Sequence, residues 1–368
     1  MVKNARLFLF GVAIFLAAAV IGGISYGCTD FQIKATDGTV IIGRTMEFGV
    51  DVTSSIIVRP RGEMFDGTAP NGKEGMKWTS KYGFVAITAF GNENALIDGI
   101  NEEGMSVEAL WFPDAKYQSV SEADSNRAIN VVAVPAWILS NFRSVDEIKE
   151  AIKKVRVWAE VAPELKREPP LHLACHDAEG KNIVIEFIEG QVKVYDNPIG
   201  VMTNLPSFDW HLTNLRNYIN LDCWDAEPLT MRGVTLNPTG TGSGLRGIPG
   251  DWTPPSRFVR TAMLVHFASP VNSAAEGVNL AEHIVNAVDI PLGNVKAKQL
   301  GTLSQDSTQW ALIKDLTNRV LYLRDYGNLS MRAIDLKRLP FDRGAKTRPI
   351  PVKSVDSGIV DITKELLQ

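Results

Sequence analysis

The sequence predicts an α+β fold of packed antiparallel sheets with covering helices. Short alternating apolar segments joined by tight turn signals recur near both ends of the chain, and helical periodicity is confined to stretches between them. No linker-like run and no internal repeat interrupts residues 28–368, which therefore read as one domain.

The first strands are read at residues 28–33, 40–45, 54–58, 83–88 and 105–109. Thr36-Asp37-Gly38 and Glu103-Gly104 supply turns between them, and connections this short make antiparallel hairpins. Helices are expected over 128–139 and 145–155, the second opened by a capping box of Ser144 and Glu147. A second strand group covers 171–175, 182–187 and 192–195, with turns at Glu179-Gly180 and Glu189-Gly190. Residues 227–255, rich in Gly, Pro and Thr, read as a long extension or loop. Ser256 is expected to cap a helix running to 266, a further helix covers 280–288, and strands return at 309–314, 320–324 and 331–335.

The chain begins with a basic start (Lys3, Arg6), an uncharged apolar run over 7–24, and small residues Ser25 and Gly27 around Tyr26. This pattern predicts a signal peptide over residues 1–27 and export to the periplasm or the medium, with no stable membrane association once the segment is removed. Cleavage would leave Cys28 first. An N-terminal cysteine carries nucleophile and base in one residue, because its α-amine, with a reference pKa of roughly 7.7 to 8.0, can take the thiol proton. Three other readings stay open from the residues alone: an uncleaved anchor, a lipidated cysteine, and a buried small hydrophobe.

Thirty-eight Lys and Arg against 42 Asp and Glu give a net charge of −4, and loss of Lys3 and Arg6 makes it two units more negative. That balance argues against a nucleic-acid surface. The cysteines Cys28, Cys175 and Cys223 are too few for a disulfide framework, and whether Cys175 and Cys223 pair is left open. The glycines between 240 and 250 lack the preceding strand of a nucleotide-binding loop. His172 and His176 share one strand face and Cys175 the other, so they do not converge on a metal, and no metal or cofactor is expected. No G-x-S-x-G elbow occurs.

Arg44 lies sixteen residues beyond Cys28, a distance that a strand, turn and returning strand closes. A guanidinium there would favour the thiolate, and Glu47 would hold the α-amine by a charge-assisted hydrogen bond. The competing reading makes Arg44 and Glu47 a solvated hairpin pair.

Cys28, Asp37-Gly38 and Gly43-Arg44-Thr45-Met46-Glu47, followed by NEEGMSVEALWFP (101–113), YDNPIGVMTN (195–204), FDWHLTNLRNY (208–218), GIPGD (247–251), SRFVR (256–260) and STQW (307–310), form an ordered set. The set resembles the choloylglycine hydrolase family, the bile salt hydrolases and penicillin V acylases of the N-terminal-nucleophile superfamily. The resemblance implies a four-layer αββα sandwich and an amidase acting on non-peptide C–N bonds of a small N-acyl amide. It implies Cys28 as nucleophile, Arg44 beside it, Asn204 as the oxyanion-hole amide, Arg257 as a late active-site arginine, and the Trp111 backbone N–H as a second oxyanion donor. The family usually has Asp at position 47, one methylene shorter than Glu47. The indole of Trp111 is either a pocket wall or a core aromatic. Conjugated bile salts are the first substrate class implied, penicillin V or another aryl-acyl amide the second, and long-chain N-acyl homoserine lactones the third. The stretch between Asn204 and Arg257 resembles the tetramer-forming element of the family, so a homotetramer is expected. A reading of another class is an exported, lipid- or helix-anchored binding protein with a non-catalytic Cys28.

Overall fold

The computed structural model describes residues 27–299, 302–360 and 362. The predicted leader, residues 1–26 of it, lies outside the described residues. Two antiparallel sheets pack face to face around one continuous apolar core.

Sheet I holds β1 (Cys28–Lys34), β2 (Val40–Phe48) and five later strands, and sheet II holds β3 (Ser55–Arg59), β4 (Phe84–Ala89), β5 (Asn92–Asn101), β6 (Ser106–Trp111), β7 (Leu171–His176), β8 (Asn182–Ile188) and β9 (Gln191–Asp196). The remaining members of sheet I are β10 (Val201–Met202), β11 (Val295–Gln299), β12 (Thr302–Asp315), β13 (Val320–Asp325) and β14 (Asn328–Asp335). Sheet I runs β10-β1-β2-β12-β13-β14, with β11 also paired to β12; sheet II runs β9-β8-β7-β6-β5-β4-β3 and ends on β15 (Ile350–Pro351). Every residue of β2 is buried, because sheet II covers one face and α5 (Ala274–Val288) packs on the strand from outside. The helix α4 (Pro254–Phe267) lies on β1, and α1 (Val134–Asn141) covers the outer face of sheet II at β5 and β6. This is the expected four-layer arrangement.

The hairpin that carries the site is fixed by two local devices. Asp37 Oδ1 accepts the Thr39 N–H at 2.8 Å, and Gly38 takes a φ of +92°, which closes the turn between β1 and β2. Opposite Phe31 stands Gly43, where a Cβ would lie 2.2 Å from the phenyl ring. Only glycine leaves that ring its place.

Several elements differ from expectation. The predicted helix over 128–139 is instead a short strand, Ala128–Asn130, followed by a 3₁₀ turn and α1. A parallel partner, Arg156–Trp158, captures the strand, and the Asn130 side chain caps the turn through the Val132 N–H. The helix read to begin at Ser256 starts at Pro254 after Thr253, because two prolines suit the first helical turn, and Ser256 bonds Asp251 at 2.7 Å. The helix read at 280–288 begins earlier, at Ala274, with Ser273 capping the Glu276 N–H. Within 227–255 a hairpin of Leu229–Met231 and Val234–Leu236 replaces part of the expected loop. Residues 350–358 form a strap. Ile350–Pro351 pair with β3 on sheet II, while the Ser354 N–H donates to Asp325 and Ser330 donates to the Gly358 carbonyl on sheet I.

Candidate active site

Cys28 opens β1 opposite Met46, and Asp30 stands opposite Arg44. Side chains alternate along a strand, so Cys28, Asp30, Arg44 and Met46 share the face toward sheet II, while Thr29, Thr45 and Glu47 share the other. Arg44 and Glu47 therefore approach Cys28 from opposite sides of sheet I.

Arg44 crosses to sheet II. Its Nη1 donates to Asp98 Oδ2 at 2.9 Å and to the Ile97 carbonyl, its Nη2 donates to the Ala109 carbonyl at 2.7 Å, and Nη2 lies 3.8 Å from Cys28 Sγ. Burial alone would depress this guanidinium's pKa, but Asp98 with help from the thiol and Glu108 holds it above the ordinary value, so it is a permanent cation. With Arg44 1% exposed and Glu47 0% exposed, the solvated-pair reading is overturned.

Glu47 pairs with Thr308 across β2 and β12, and Thr308 Oγ1 donates to its Oε1 at 2.7 Å. Burial raises the carboxyl to about 7, opposed by the charge of Arg257. The Glu47 backbone N–H donates to the Gly27 carbonyl at 2.9 Å. A Cβ on Gly27 would lie 3.1 Å from Glu47 Cβ and 3.3 Å from both Glu47 Oε2 and Arg257 Nη2, so a side chain there would press on these two groups.

Asn204 follows β10. Its Oδ1 accepts the Cys28 backbone N–H at 2.9 Å and Arg257 Nη2 at 2.8 Å, and its Nδ2 donates to the Trp111 carbonyl at 2.8 Å. An amide nitrogen carries two N–H bonds, so one is committed to Trp111 and the second can serve a ligand oxygen. The Asn204 carbonyl accepts from His211 Nε2 at 3.0 Å, and that ring stacks on Phe258 with centroids 4.7 Å apart. Burial depresses His211 to about 4, keeping it neutral as a fixed donor. Arg257, in the first turn of α4, also donates to the Cys28 carbonyl at 2.6 Å and to Thr29 Oγ1 at 2.7 Å.

Beside the thiol opens a mostly apolar cavity of about 440 Å³, walled by Met46, Phe48, Leu96, Trp111 and Leu165 among others. The Trp111 indole is both core and wall: it is 5% exposed, meets Phe48 edge-on at 5.5 Å, and carries the Arg167 guanidinium 5.7 Å above its ring. Cys28 is 4% exposed but lines this cavity, unlike Cys175, which is buried in the core. All three cysteines are unpaired, so Cys175 and Cys223 do not bridge.

Arg44, Asn204, Arg257 and Trp111 thus come together at Cys28, whereas Glu47 lies on the other face of sheet I bonded to Thr308, and the Cys28 nitrogen is held by Asn204 in place of the expected Glu47. Asp98, Ala109, Thr308 and Thr29 were not anticipated. Thr308 lies inside the STQW segment, which was the one sequence signal available for it. A trio with metal-ligand chemistry, Asp30, Glu108 and His176, also escaped sequence reading, since its members come from three strands.

Residues 28–346 match the family of linear amide C–N hydrolases known as the choloylglycine hydrolase family. The chain belongs to this family. A bile salt hydrolase/transferase of Clostridium perfringens is 32% identical to it over 318 residues, 86% of this chain and 94% of the relative. A penicillin V acylase of Pectobacterium atrosepticum is 27% identical over 365 residues, 93% and 90% of the two chains. Among solved structures, a variant of the conjugated bile acid hydrolase of Clostridium perfringens superposes with a TM-score of 0.76 at 30% identity, covering 91% of this chain and all of that one. A penicillin V acylase from Agrobacterium tumefaciens shares the fold, with a TM-score of 0.71 at 23% identity. As a choloylglycine hydrolase family member, the protein is a hydrolase of carbon–nitrogen bonds other than peptide bonds.

Proposed function

We propose that the protein is an exported N-terminal-cysteine amidase that acts on conjugated bile salts first and on aryl-acyl amides such as penicillin V second. The observation that carries this reading is the thiol at the edge of an apolar cavity, with a fixed cation 3.8 Å from sulfur and an asparagine amide on the nucleophile's own nitrogen. Export and cleavage after Gly27 rest on the leader-like residues 1–27, with small residues at Ser25 and Gly27 before Cys28.

In the proposed cycle the freed α-amine takes the Sγ proton as sulfur attacks the acyl carbonyl, and Arg44 stabilises the charge on sulfur. The tetrahedral oxyanion is held by Asn204 Nδ2 and the Trp111 N–H. Collapse breaks the C–N bond, and the α-ammonium returns its proton to the departing amine. Water then attacks the thioester, gives its proton to the α-amine, and the C–S bond breaks to restore the thiol. Asn204 holds the nitrogen of Cys28 and Arg257 its carbonyl, which fixes the amine beside Sγ. These steps use only groups of the chain and water.

The aromatic wall of Phe48, Phe90 and Trp111 favours a bulky apolar acyl group. A long-chain N-acyl homoserine lactone is the third candidate on the same ground. The exposed apolar side chains of the 229–236 hairpin support a homotetramer.

The test is intact mass of the exported protein together with amine release from a glycine-conjugated bile salt and from penicillin V. Release that requires a free Cys28 and disappears in Cys28→Ala supports the proposal; a blocked or lipidated Cys28 sinks it.

A further inference from the structure

Behind Arg44 lies a row of buried charges that the proposed cycle leaves without a role. Asp98, whose Oδ2 holds Arg44, offers its Oδ1 to Lys314 Nζ at 2.7 Å. Lys314 also donates to Glu108 Oε1. Glu108 Oε2 lies 3.6 Å from His176 Nε2, and that nitrogen donates to Asp30 Oδ2 at 2.9 Å. All six groups are buried, the side chains of the last five being 0% exposed.

The charge state of the row follows from hydrogen-bond direction. Gln32 Nε2 donates to the Gly180 carbonyl and its Oε1 accepts from Asn182, so the oxygen facing His176 Nδ1 at 3.1 Å is an acceptor. Asp30 is an acceptor on the other side. Both ring nitrogens therefore donate, which makes His176 an imidazolium, in line with the upward push that Asp30 and Glu108 exert against burial. An imidazolium has no lone pair for a metal, so the Asp30–Glu108–His176 trio is filled by its own proton. Signs then alternate without a break: Arg44 positive, Asp98 negative, Lys314 positive, Glu108 negative, His176 positive, Asp30 negative. Sheet I supplies Asp30, Arg44 and Lys314, sheet II supplies Asp98, Glu108 and His176, and the sum is zero.

We propose that Asp98 and Lys314 are positioning residues for the reaction at Cys28. Asp98 aims the Arg44 guanidinium at Sγ. Lys314 shares the charge of Asp98, so that Asp98 does not spend all of it on Arg44 and a net positive field is left at sulfur. Glu108, His176 and Asp30 complete the row and keep it neutral, which is how so many charges stay buried between two sheets. The inference rests on the reading of Cys28 as nucleophile but on no particular substrate.

The test measures alkylation of Cys28 by iodoacetamide, read by peptide mass so that exposed Cys223 is counted separately. Lys314→Met combined with Glu108→Gln removes one charge of each sign and keeps the row neutral; Lys314→Gln alone is the second variant. In both, Asp98 is left to spend its whole charge on Arg44, and the expected result is alkylation slowed about tenfold at pH 7 and converging on wild type at pH 10, the effect of weakening one neighbouring charge by about one pK unit. In turnover, kcat falls in step while KM holds. The same slowing in a protein that hydrolyses none of the tested amides upholds the positioning role while the substrate assignment fails. Alkylation at pH 7 within twofold of wild type in folded variants overturns the proposal, as does a stoichiometric metal ion in the purified wild-type protein.

Discussion

At the scale of single residues, the site depends on groups whose ordinary chemistry has been shifted by burial. Asn204 depends on placement instead, because one side chain touches the nucleophile's nitrogen, Arg257 and Trp111 together. Asn204→Ala is expected to lower kcat by roughly 10²- to 10³-fold with a smaller change in KM, the signature of a lost oxyanion donor, read by steady-state amine release. Glu47 gives a pH prediction. With Gly27 attached, its carboxyl titrates at about 7 in the folded chain against 4.5 for the ordinary side chain. Between these values the folded state binds the extra proton, so stability falls as pH rises through the window, by up to about 3 kcal/mol once the group is ionised. Urea unfolding of wild type and Glu47→Gln from pH 4 to 8 should show a steeper decline in wild type, the variant keeping only the part that buried His176 supplies. A variant whose decline equals that of wild type excludes Glu47 as a source. Removal of residues up to Gly27 places an α-ammonium beside the carboxylate and is expected to shrink the effect.

Among the elements, the β1–β2 hairpin shows most directly how packing places chemistry. Gly43→Ala drives a methyl into the Phe31 ring one residue from Arg44, at an expected cost of about 1–3 kcal/mol together with slower turnover. Denaturant melts and kcat measured on the same variant test both parts. This hairpin was legible in the sequence because turn and partner strand are local, and Cys28, Arg44 and their sixteen-residue separation needed nothing else. The strand at Ala128–Asn130 was misread as helix because its partner, Arg156–Trp158, lies far along the chain and outweighs local propensity. The Leu229–Leu236 hairpin was hidden in a Gly- and Pro-rich stretch, although Arg232 and Gly233, with φ of 51° and 80°, make a tight two-residue turn. Asp98, Thr308 and Lys314 carry no motif that announces them from composition and period alone. They acquire meaning only when sheet II or strand β12 is laid against β2.

For the whole molecule, the projecting hairpin is the feature that bears on assembly. Leu229 and Leu236 stand opposite each other and are 57% and 48% exposed, an unusual position for two leucines on paired strands. Leu229→Glu with Leu236→Glu is expected to reduce the mass measured by light scattering from that of the proposed homotetramer to a smaller species while circular dichroism stays unchanged. An unaltered mass removes the hairpin from the interface. The strap of residues 350–358 has a different consequence, which concerns how the chain is made. It is the segment that pairs with the outer edge of β3 and ties it to β13 and β14 on the neighbouring sheet. A nascent chain offers that edge bare until residues some three hundred positions later have left the ribosome, on the order of tens of seconds at ordinary translation speed. Throughout that interval the strand is a template for pairing between molecules. Safe delivery thus calls for a chaperone that keeps β3 extended and solvated, or for folding that waits until the strap has emerged.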